Sequence, residues 1–286
     1  MVLNFHGLLH KPQNNTDKVI IAIHGMQSNC LKKRDDFIAK KACLNNIAYF
    51  CFSNRGHDLV NSITKIQDGK AIKMLSGSSL ENIDDCYYDI KSAILEMQKL
   101  GYNNIYLQGH SLGCTKIIYT MTKLKNKNEQ DILNKIKAVM LISLVDLPIA
   151  IKFFFQNDIN KLISQMEDEK LNGNGKKLMS VDGAIIPMCP DTFLNFVKYN
   201  EEIDFAKFRD ESYDFKELND INVPLFMRWG NKNELIMQDA SKLVSFMRSK
   251  IKNKKCDINY IDGASHNYKG KEEILASELI SFLMKL

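Results

Sequence analysis

The chain has 286 residues, of which 45% are hydrophobic and 26% are charged, and its formal net charge is +5. This length predicts one large domain or one domain with an insertion, and the composition is typical of a water-soluble globular protein. The positive charge is spread along the chain, and the basic run 250–255 is predicted to be a solvated helix end. We therefore expect no nucleic-acid partner, and no apolar run is long enough to predict a membrane span.

The seven cysteines are an odd number, with no CxxC pair and no metal-ligand spacing. They are predicted to be reduced core residues, and neither a metal nor a cofactor is expected. The N-terminal residues lack the basic stretch and apolar run of a signal peptide. The sequence therefore predicts a cytoplasmic protein.

Buried strands and helices alternate through the first half of the chain. Continuous β-branched runs predict strands that are buried on both faces, as in parallel sheets. The predicted elements are an edge strand within 1–12, a strand at 18–23, a helix at 33–44, a strand at 47–53, a polar loop at 59–78, a helix at 80–100, a strand that leads into a turn at 109–113, a helix to about 125 and a strand at 136–144.

The alternation stops at residue 145 and resumes near residue 223. The segment 145–222 contains helical patterns and polar segments without a clear buried strand. After it come a strand at 224–229, a helix at 239–250, a strand at 256–261 and a closing helix at 272–285. The pattern predicts an α/β fold with a mainly parallel central sheet and helices on both faces. Residues 1–144 and 223–286 would form the core domain, and 145–222 a mostly helical cap insertion.

The most informative motif is Gly109-His110-Ser111-Leu112-Gly113, a G-x-S-x-G pentapeptide between a predicted strand and a predicted helix. At such a corner the serine hydroxyl stands clear of the sheet, and glycines allow neighbouring backbones to approach. The N-terminus of the following helix turns free N–H groups towards the same place, where an oxyanion would form.

A serine hydroxyl becomes a nucleophile only beside a base, and the base needs an acceptor that orients it. Histidines occur at several predicted strand ends, where ligands of parallel sheets bind. His24-Gly25 follows the first central strand, Arg55-Gly56-His57-Asp58 follows the next, and Gly263-Ala264-Ser265-His266 follows the last.

With these four motifs in order, the chain resembles the α/β-hydrolase-fold serine hydrolases, especially feruloyl/cinnamoyl-esterase-type and lysophospholipase-like enzymes. The resemblance implies that Ser111 is the nucleophile and His266 the general base and acid. It implies an oxyanion hole made by the backbone N–H groups of Met26 and Leu112. His24 would support the oxyanion loop. Two further residues, Arg55 and Asp58, would brace loops.

The triad acid is where the sequence departs from the family pattern. In the segment 230–235 the usual aspartate position holds Asn233, and Glu234 comes next. Asp146, at the end of the preceding strand, is a second carboxylate within the possible reach of His266. Because an Asp-to-Asn change in a serine protease triad lowers turnover about 10⁴-fold, an active enzyme should retain a carboxylate. We expect Glu234, with Asp146 and Asn233 as alternatives.

The predicted activity is cleavage of a small to medium carboxylic ester with an apolar acyl or aryl part, through an acyl-enzyme on Ser111. Thioester or amide cleavage is an alternative, and so is a catalytically degenerate protein of this fold that binds a small ligand. A small-molecule ester is the expected partner, and the protein would be a monomer or homodimer. Apolar residues of the insertion either line the pocket or pack the cap onto the sheet: Phe153, Phe154, Phe155, Met188, Phe193 and Phe196.

Overall fold

The computed structural model describes residues 2–154, 159–180, 186–197, 203–236 and 238–286. The strands are β1 (Val2–Asn4), β2 (Gly7–His10), β3 (Lys18–Ile23), β4 (Ala48–Phe52), β5 (Asn61–Gln67), β6 (Lys70–Ser76), β7 (Asn104–His110), β8 (Ile136–Ile142), β9 (Leu225–Gly230) and β10 (Cys256–Ile261). The helices are α1 (Lys33–Leu44), α2 (Cys86–Lys99), α3 (Leu112–Asn126), α4 (Gln130–Leu133), α5 (Leu147–Phe154), α6 (Ile159–Glu169), α7 (Pro190–Val197), α8 (Lys216–Asn219), α9 (Ala240–Lys250) and α10 (Glu272–Leu283).

Seven strands form the central sheet in the order β10-β9-β8-β7-β3-β4-β2. All neighbours are parallel except the edge strand β2, which is antiparallel to β4. The predicted mainly parallel α/β sheet is therefore confirmed. In the register of β3 and β7, Ile23 lies opposite Gly109, so the two loops after these strands leave the sheet side by side.

Helices cover both faces of this sheet because successive strand residues point to opposite sides. Ile20 belongs to an apolar cluster with α1 and α10, whereas its neighbour Ile21 belongs to a cluster with α2 and α3. Both isoleucines are fully buried, which explains the unbroken apolar run of β3. Strands with two buried faces need apolar residues at every position.

The polar loop predicted for 59–78 is wrong, because this segment is a β-hairpin. Strands β5 and β6 pair antiparallel with Gln67 opposite Lys70. The connecting residues Asp68 and Gly69 have φ values of 52° and 73°. An Asp-Gly pair is the preferred two-residue hairpin turn, so the local signal was present in the sequence. β1 pairs with β5 and completes a separate three-stranded sheet.

The other predicted elements agree with the structure, with small shifts of their ends. The helix predicted at 80–100 begins later, with a 3₁₀ turn at Ile83–Asp85 before α2. All seven cysteines are free, and five of them are buried. Among the described residues, no helix is long and apolar enough to cross a bilayer.

The segment 145–222 contains α5, α6, a π-helical turn (Lys170–Asn174), α7 and α8. Of the six apolar residues considered for a pocket wall, Met188, Phe193 and Phe196 are fully buried in the same apolar cluster as α2 and α3. They are core residues, and α7, which carries Phe193 and Phe196, packs against α5 and α6. Phe155 and the side chains of Phe153 and Phe154 lie outside what the structure describes. The division into core and cap stays a prediction.

Candidate active site

Ser111 occupies a strained corner between β7 and α3. Its backbone has φ 55° and ψ −124°, a conformation that costs a non-glycine residue free energy. The corner is held in place from both sides. The N–H of Ser111 donates to the carbonyl of Ile142 in β8 at 2.9 Å, and the N–H of Cys114 donates to the Ser111 carbonyl at 2.9 Å.

Glycines are required here because three backbone segments meet. A Cβ atom on Gly25 would lie 2.9 Å from the Cβ atom of Ser111, and one on Gly109 would lie 2.7 Å from the amide nitrogen of Cys114. Real Cβ atoms do not approach so closely. The loop after β3 therefore packs directly against the serine, as the glycines of the motif predict.

Two amide groups beside Ser111 remain available. Among the residues that the structure describes, no backbone hydrogen bond engages the N–H of Leu112 or the N–H of Met26. Both residues line one cavity together with Ser111 and His266. The arrangement thus offers unpaired backbone donors next to a serine at a helix N-terminus.

His266 and Glu234 are joined by a hydrogen bond, in which Nδ1 donates to Oε1. The other carboxylate oxygen, Oε2, accepts from the Ser143 hydroxyl at 2.7 Å and from the Gly230 N–H at 3.0 Å. The Glu234 side chain is 2% exposed. Its position is therefore determined by donors on three separate segments, at the ends of β8 and β9 and after β10.

The same donors control the charge of Glu234. Burial by itself would raise the pKa of this carboxyl group, but hydrogen bonding and charge from His266, together with the Gly230 N–H and Ser143, lower the pKa below its usual value. Glu234 is therefore an anion at neutral pH despite being buried. An anion at Nδ1 holds the imidazole in the tautomer whose Nε2 can accept a proton.

The two alternative acids are placed elsewhere. Asp146 forms an ion pair with Arg209, whose N–H also donates to it at 3.3 Å. Burial raises the pKa of Asp146 even though Arg209 opposes that shift. Asn233 is exposed, with φ 51°, so it serves the turn that carries Glu234.

His110 connects the serine corner to the loop of His266. Its Nε2 donates to the backbone carbonyl of His266 at 2.8 Å. The centroids of the two imidazole rings lie 4.9 Å apart. Burial, with the nearby Arg34 and His266, holds the pKa of His110 well below its ordinary value. His110 is therefore a neutral donor that fixes the loop. The sequence motifs did not predict a role for this residue.

Ser143 and Tyr268 lie next to Glu234 and were also not predicted from the sequence. The buried Tyr268 hydroxyl donates to the Arg228 carbonyl at 3.0 Å and lies 3.2 Å from the Ser143 hydroxyl. Together they support the carboxylate of Glu234. The available signal was positional: Ser143 follows β8 at the sheet edge where the other site residues lie.

His24 links the loop after β3 to the loop after β4. Its Nδ1 donates to the Gly25 carbonyl at 2.9 Å, and its Nε2 accepts from the Asn54 N–H at 3.1 Å. Burial, reinforced by the charge of Lys116, lowers the pKa of His24 from 6.5 to about 3. Lys116 is itself fully buried in an ion pair with Glu81 at 2.5 Å.

His24 should make stability depend on pH. Between pH 6.5 and about 3 only the unfolded chain binds a proton at His24. The free energy of unfolding therefore falls as pH is lowered through this window, by up to about 1.4 kcal/mol per pH unit. In urea unfolding we expect His24→Gln to be less stable than wild type at pH 7, and the gap to narrow by up to about 2 kcal/mol at pH 5. If the difference in the free energy of unfolding between the two proteins is the same at pH 7 and pH 5, the lowered pKa of His24 is contradicted. The other titratable groups are common to both proteins and cancel in this difference.

The loop after β4 is held by charge pairs. Arg55 binds Asp89 at 2.6 Å and Asp85 at 2.8 Å. Burial by itself would lower the pKa of Arg55, but the two carboxylates outweigh burial and raise it. Asp58 accepts hydrogen bonds from the side chains of Asn29 at 2.8 Å and His57 at 2.9 Å.

The cavity over Ser111 has a volume of 570 Å³, which is within the range of small-molecule sites. Apolar residues of the segment that follows β8 form part of its lining: Val145, Leu147, Ala150 and Ile151. Within the described ranges no cluster of His, Cys, Asp or Glu side chains is arranged to hold a metal ion.

Several solved structures share this fold. Est1E from Butyrivibrio proteoclasticus, with ferulic acid bound, has a TM-score of 0.66 at 17% identity over 99% of this chain and 95% of that chain. The monoacylglycerol lipase of Paleococcus ferrophilus has a TM-score of 0.60 at 14% identity over 99% and 100% of the two chains. A soluble variant of the Saccharomyces cerevisiae monoglyceride lipase, in complex with a substrate analog, has a TM-score of 0.60 at 13% identity over 98% and 92%.

The fold and these likenesses place the chain among the α/β-hydrolase, serine esterase-like proteins, which confirms the resemblance seen in the sequence. The sequence model of the lecithin:cholesterol acyltransferase family matches residues 76–280. The chain therefore belongs to that family. A comparison with curated proteins finds no match.

Proposed function

We propose that the protein is a serine hydrolase that cleaves a carboxylic ester through an acyl-enzyme on Ser111. One observation carries the proposal: His266 is bound through Nδ1 to the buried carboxylate of Glu234 and lines the same cavity as the strained serine. A nucleophile, a base and an orienting anion are the three parts that acyl transfer needs.

In this mechanism His266 Nε2 takes the proton of Ser111 as its Oγ attacks the ester carbonyl. The oxyanion that forms is bound by the N–H groups of Leu112 and Met26. Collapse of the tetrahedral intermediate breaks the C–O bond, and His266 returns the proton to the departing alcohol. Water then attacks the acyl-enzyme with His266 as base, and the acid is released with Ser111 restored. An alcohol in place of water would give acyl transfer, the reaction in the name of the matching family.

A degenerate ligand-binding protein is the competing proposal, and it depended on Asn233 having replaced the triad acid. The hydrogen bond between the neighbouring Glu234 carboxylate and His266 supports the enzyme proposal over this alternative. The apolar residues over the serine, from Val145 to Ile151, favour an ester with an apolar acyl part.

Labelling with a fluorophosphonate probe tests the proposal. We expect wild-type protein to form one covalent adduct, located at Ser111 by mass spectrometry, and Ser111→Ala to form none. Ser245→Ala is the matched control, because Ser245 is an exposed serine on α9 whose hydroxyl donates to the Ser241 carbonyl of the same helix. Folded wild-type protein that takes no label and cleaves no ester would refute the proposal.

A further inference from the structure

The cavity over Ser111 has a cationic wall as well as an apolar one. Its lining includes Lys32, Lys33, Arg34 and Lys269, and among these lining residues the only carboxylate is Glu272. Glu272 is paired with Lys33 at 3.6 Å. Lys32 and Lys269 form no ion pair with any residue that the structure describes. The uncompensated charge of the cavity wall is therefore positive.

Arg34 is the central member of this wall, because it is buried rather than solvated. It is 5% exposed, and its Nη2 lies 3.3 Å from Asp35 Oδ2. Asp35 is shared, since it also accepts from the Tyr49 hydroxyl at 2.9 Å. The Nε atom of Arg34 is buried without a hydrogen-bond partner in the described part of the chain. A buried, unpaired donor on a charged group is costly unless a ligand supplies the acceptor.

Gln27 provides a second donor of the same kind. Its Nε2 is buried and unpartnered within the described ranges, and the residue lines the same cavity. Both of the unpaired buried side-chain atoms contributed by the cavity lining are therefore N–H donors. A complementary ligand brings acceptor oxygens, and the lysines favour oxygens that carry negative charge.

The position of His266 indicates which part of an ester carries that charge. The proposed general acid protonates the leaving oxygen, so the alcohol departs along the loop that follows β10. Asn267 and Lys269 of this loop line the cavity. The apolar wall at 145–151 is left for the acyl part.

We propose that Arg34, Gln27 and Lys269 form an anion subsite that selects esters whose alcohol part is net negative, through a carboxylate or a phosphate. This inference rests on the proposed function and specifies its substrate class. A guanidinium group binds either oxyanion with paired N–H donors, and the exposed lysine adds a field that salt screens.

A charge series of aryl butyrates tests the proposal. The leaving groups are para-hydroxybenzoate, its methyl ester, para-hydroxyphenyl phosphate and a para-hydroxyphenyl trimethylammonium ion. We expect kcat/KM to be highest for the two anions, lower for the neutral ester and lowest for the cation. The preference should weaken with added salt, since the Debye length shortens to about 8 Å at physiological ionic strength. Two para-nitrophenyl esters, the anionic adipate monoester and the neutral hexanoate, test a charge on the acyl part instead. We expect their kcat/KM values to show no preference for the anion.

Variants show whether the named residues cause the preference. Arg34→Gln should lower the anion-to-neutral ratio about tenfold or more, the scale of hydrogen bonds to charged groups. Lys269→Gln should lower it about two- to fivefold, as for an exposed ion pair. Lys40→Gln is the control, because it removes the same charge from an exposed site on α1 outside this cavity and should leave the ratio unchanged.

Each outcome is decisive. Equal kcat/KM across the wild-type series, or a preference that survives in both variants, overturns the anion subsite while leaving ester hydrolysis intact. A preference confined to the adipate ester overturns its placement on the alcohol part. If Arg34→Gln does not fold, the doubly substituted Lys32→Gln, Lys269→Gln protein decides the question. Cleavage of no ester, together with absent labelling of Ser111, would instead refute the proposed function.

Discussion

Replacing Ser111 with alanine is expected to lower kcat for ester hydrolysis about 10⁶-fold, and replacing His266 with alanine should cost a similar amount. The double variant should be scarcely slower than either single one. The reason is that nucleophile and base act as one unit: without Ser111 there is no hydroxyl proton for His266 to take, and without His266 the hydroxyl is a weak nucleophile. The remaining rate would come from binding and the oxyanion donors alone.

Steady-state hydrolysis of an aryl butyrate, with urea unfolding of each variant, separates chemistry from folding. His10→Ala is a suitable control, because His10 lies at the end of the edge strand β2, away from the cavity. Additive losses in the double variant would mean that the two residues act independently. That result would contradict the proposed mechanism.

Replacing Glu234 with glutamine is expected to lower kcat about 10³- to 10⁴-fold. The amide is nearly the same size but carries no charge, and its NH₂ group cannot accept from the donors that surround either carboxylate oxygen. Reorienting the amide leaves either His266 Nδ1 or the Ser143 and Gly230 donors unpaired. The imidazole would then adopt the wrong tautomer or lose its alignment with Ser111.

Asp146→Asn is the matched control for Glu234→Gln, since it removes a carboxylate from the other candidate acid. We expect kcat near that of the wild type and a loss of stability, because Arg209 keeps Asp204 but loses one partner. A loss of kcat in Asp146→Asn as large as that in Glu234→Gln would assign the acid to Asp146. Measurement at saturating substrate distinguishes these outcomes from changes in KM.

Local sequence patterns predicted the framework well, for a physical reason. The apolar run of β3 has one interpretation, a strand covered on both faces, and the structure shows it at the centre of the sheet. The glycines around Ser111 also have a single interpretation, because only close approach of neighbouring backbones requires them. Both requirements act within a few residues and are therefore visible in a short stretch of chain.

The hairpin at 61–76 was not predicted, although the sequence contains a local signal for it. β6 is exposed along almost its whole length and β5 is mostly half-buried, and neither strand alternates regularly between apolar and polar residues. The Asp68-Gly69 turn was the stronger indicator, and it was outweighed by the polarity of its surroundings.

The sequence by itself determined the order of the strands and helices outside the hairpin at 61–76, the serine corner and the position of the His266 loop after the last strand, because backbone sterics and burial periodicity are local properties. Which of Glu234, Asp146 and Asn233 lies beside His266 is visible only in the tertiary structure. It depends on a turn with a left-handed Asn233, on Ser143 from β8 and on the capture of Asp146 by Arg209, 63 residues away in the chain. The cationic wall is likewise tertiary, because Arg34 and Lys269 come from segments at opposite ends of the chain that the sheet brings to one cavity.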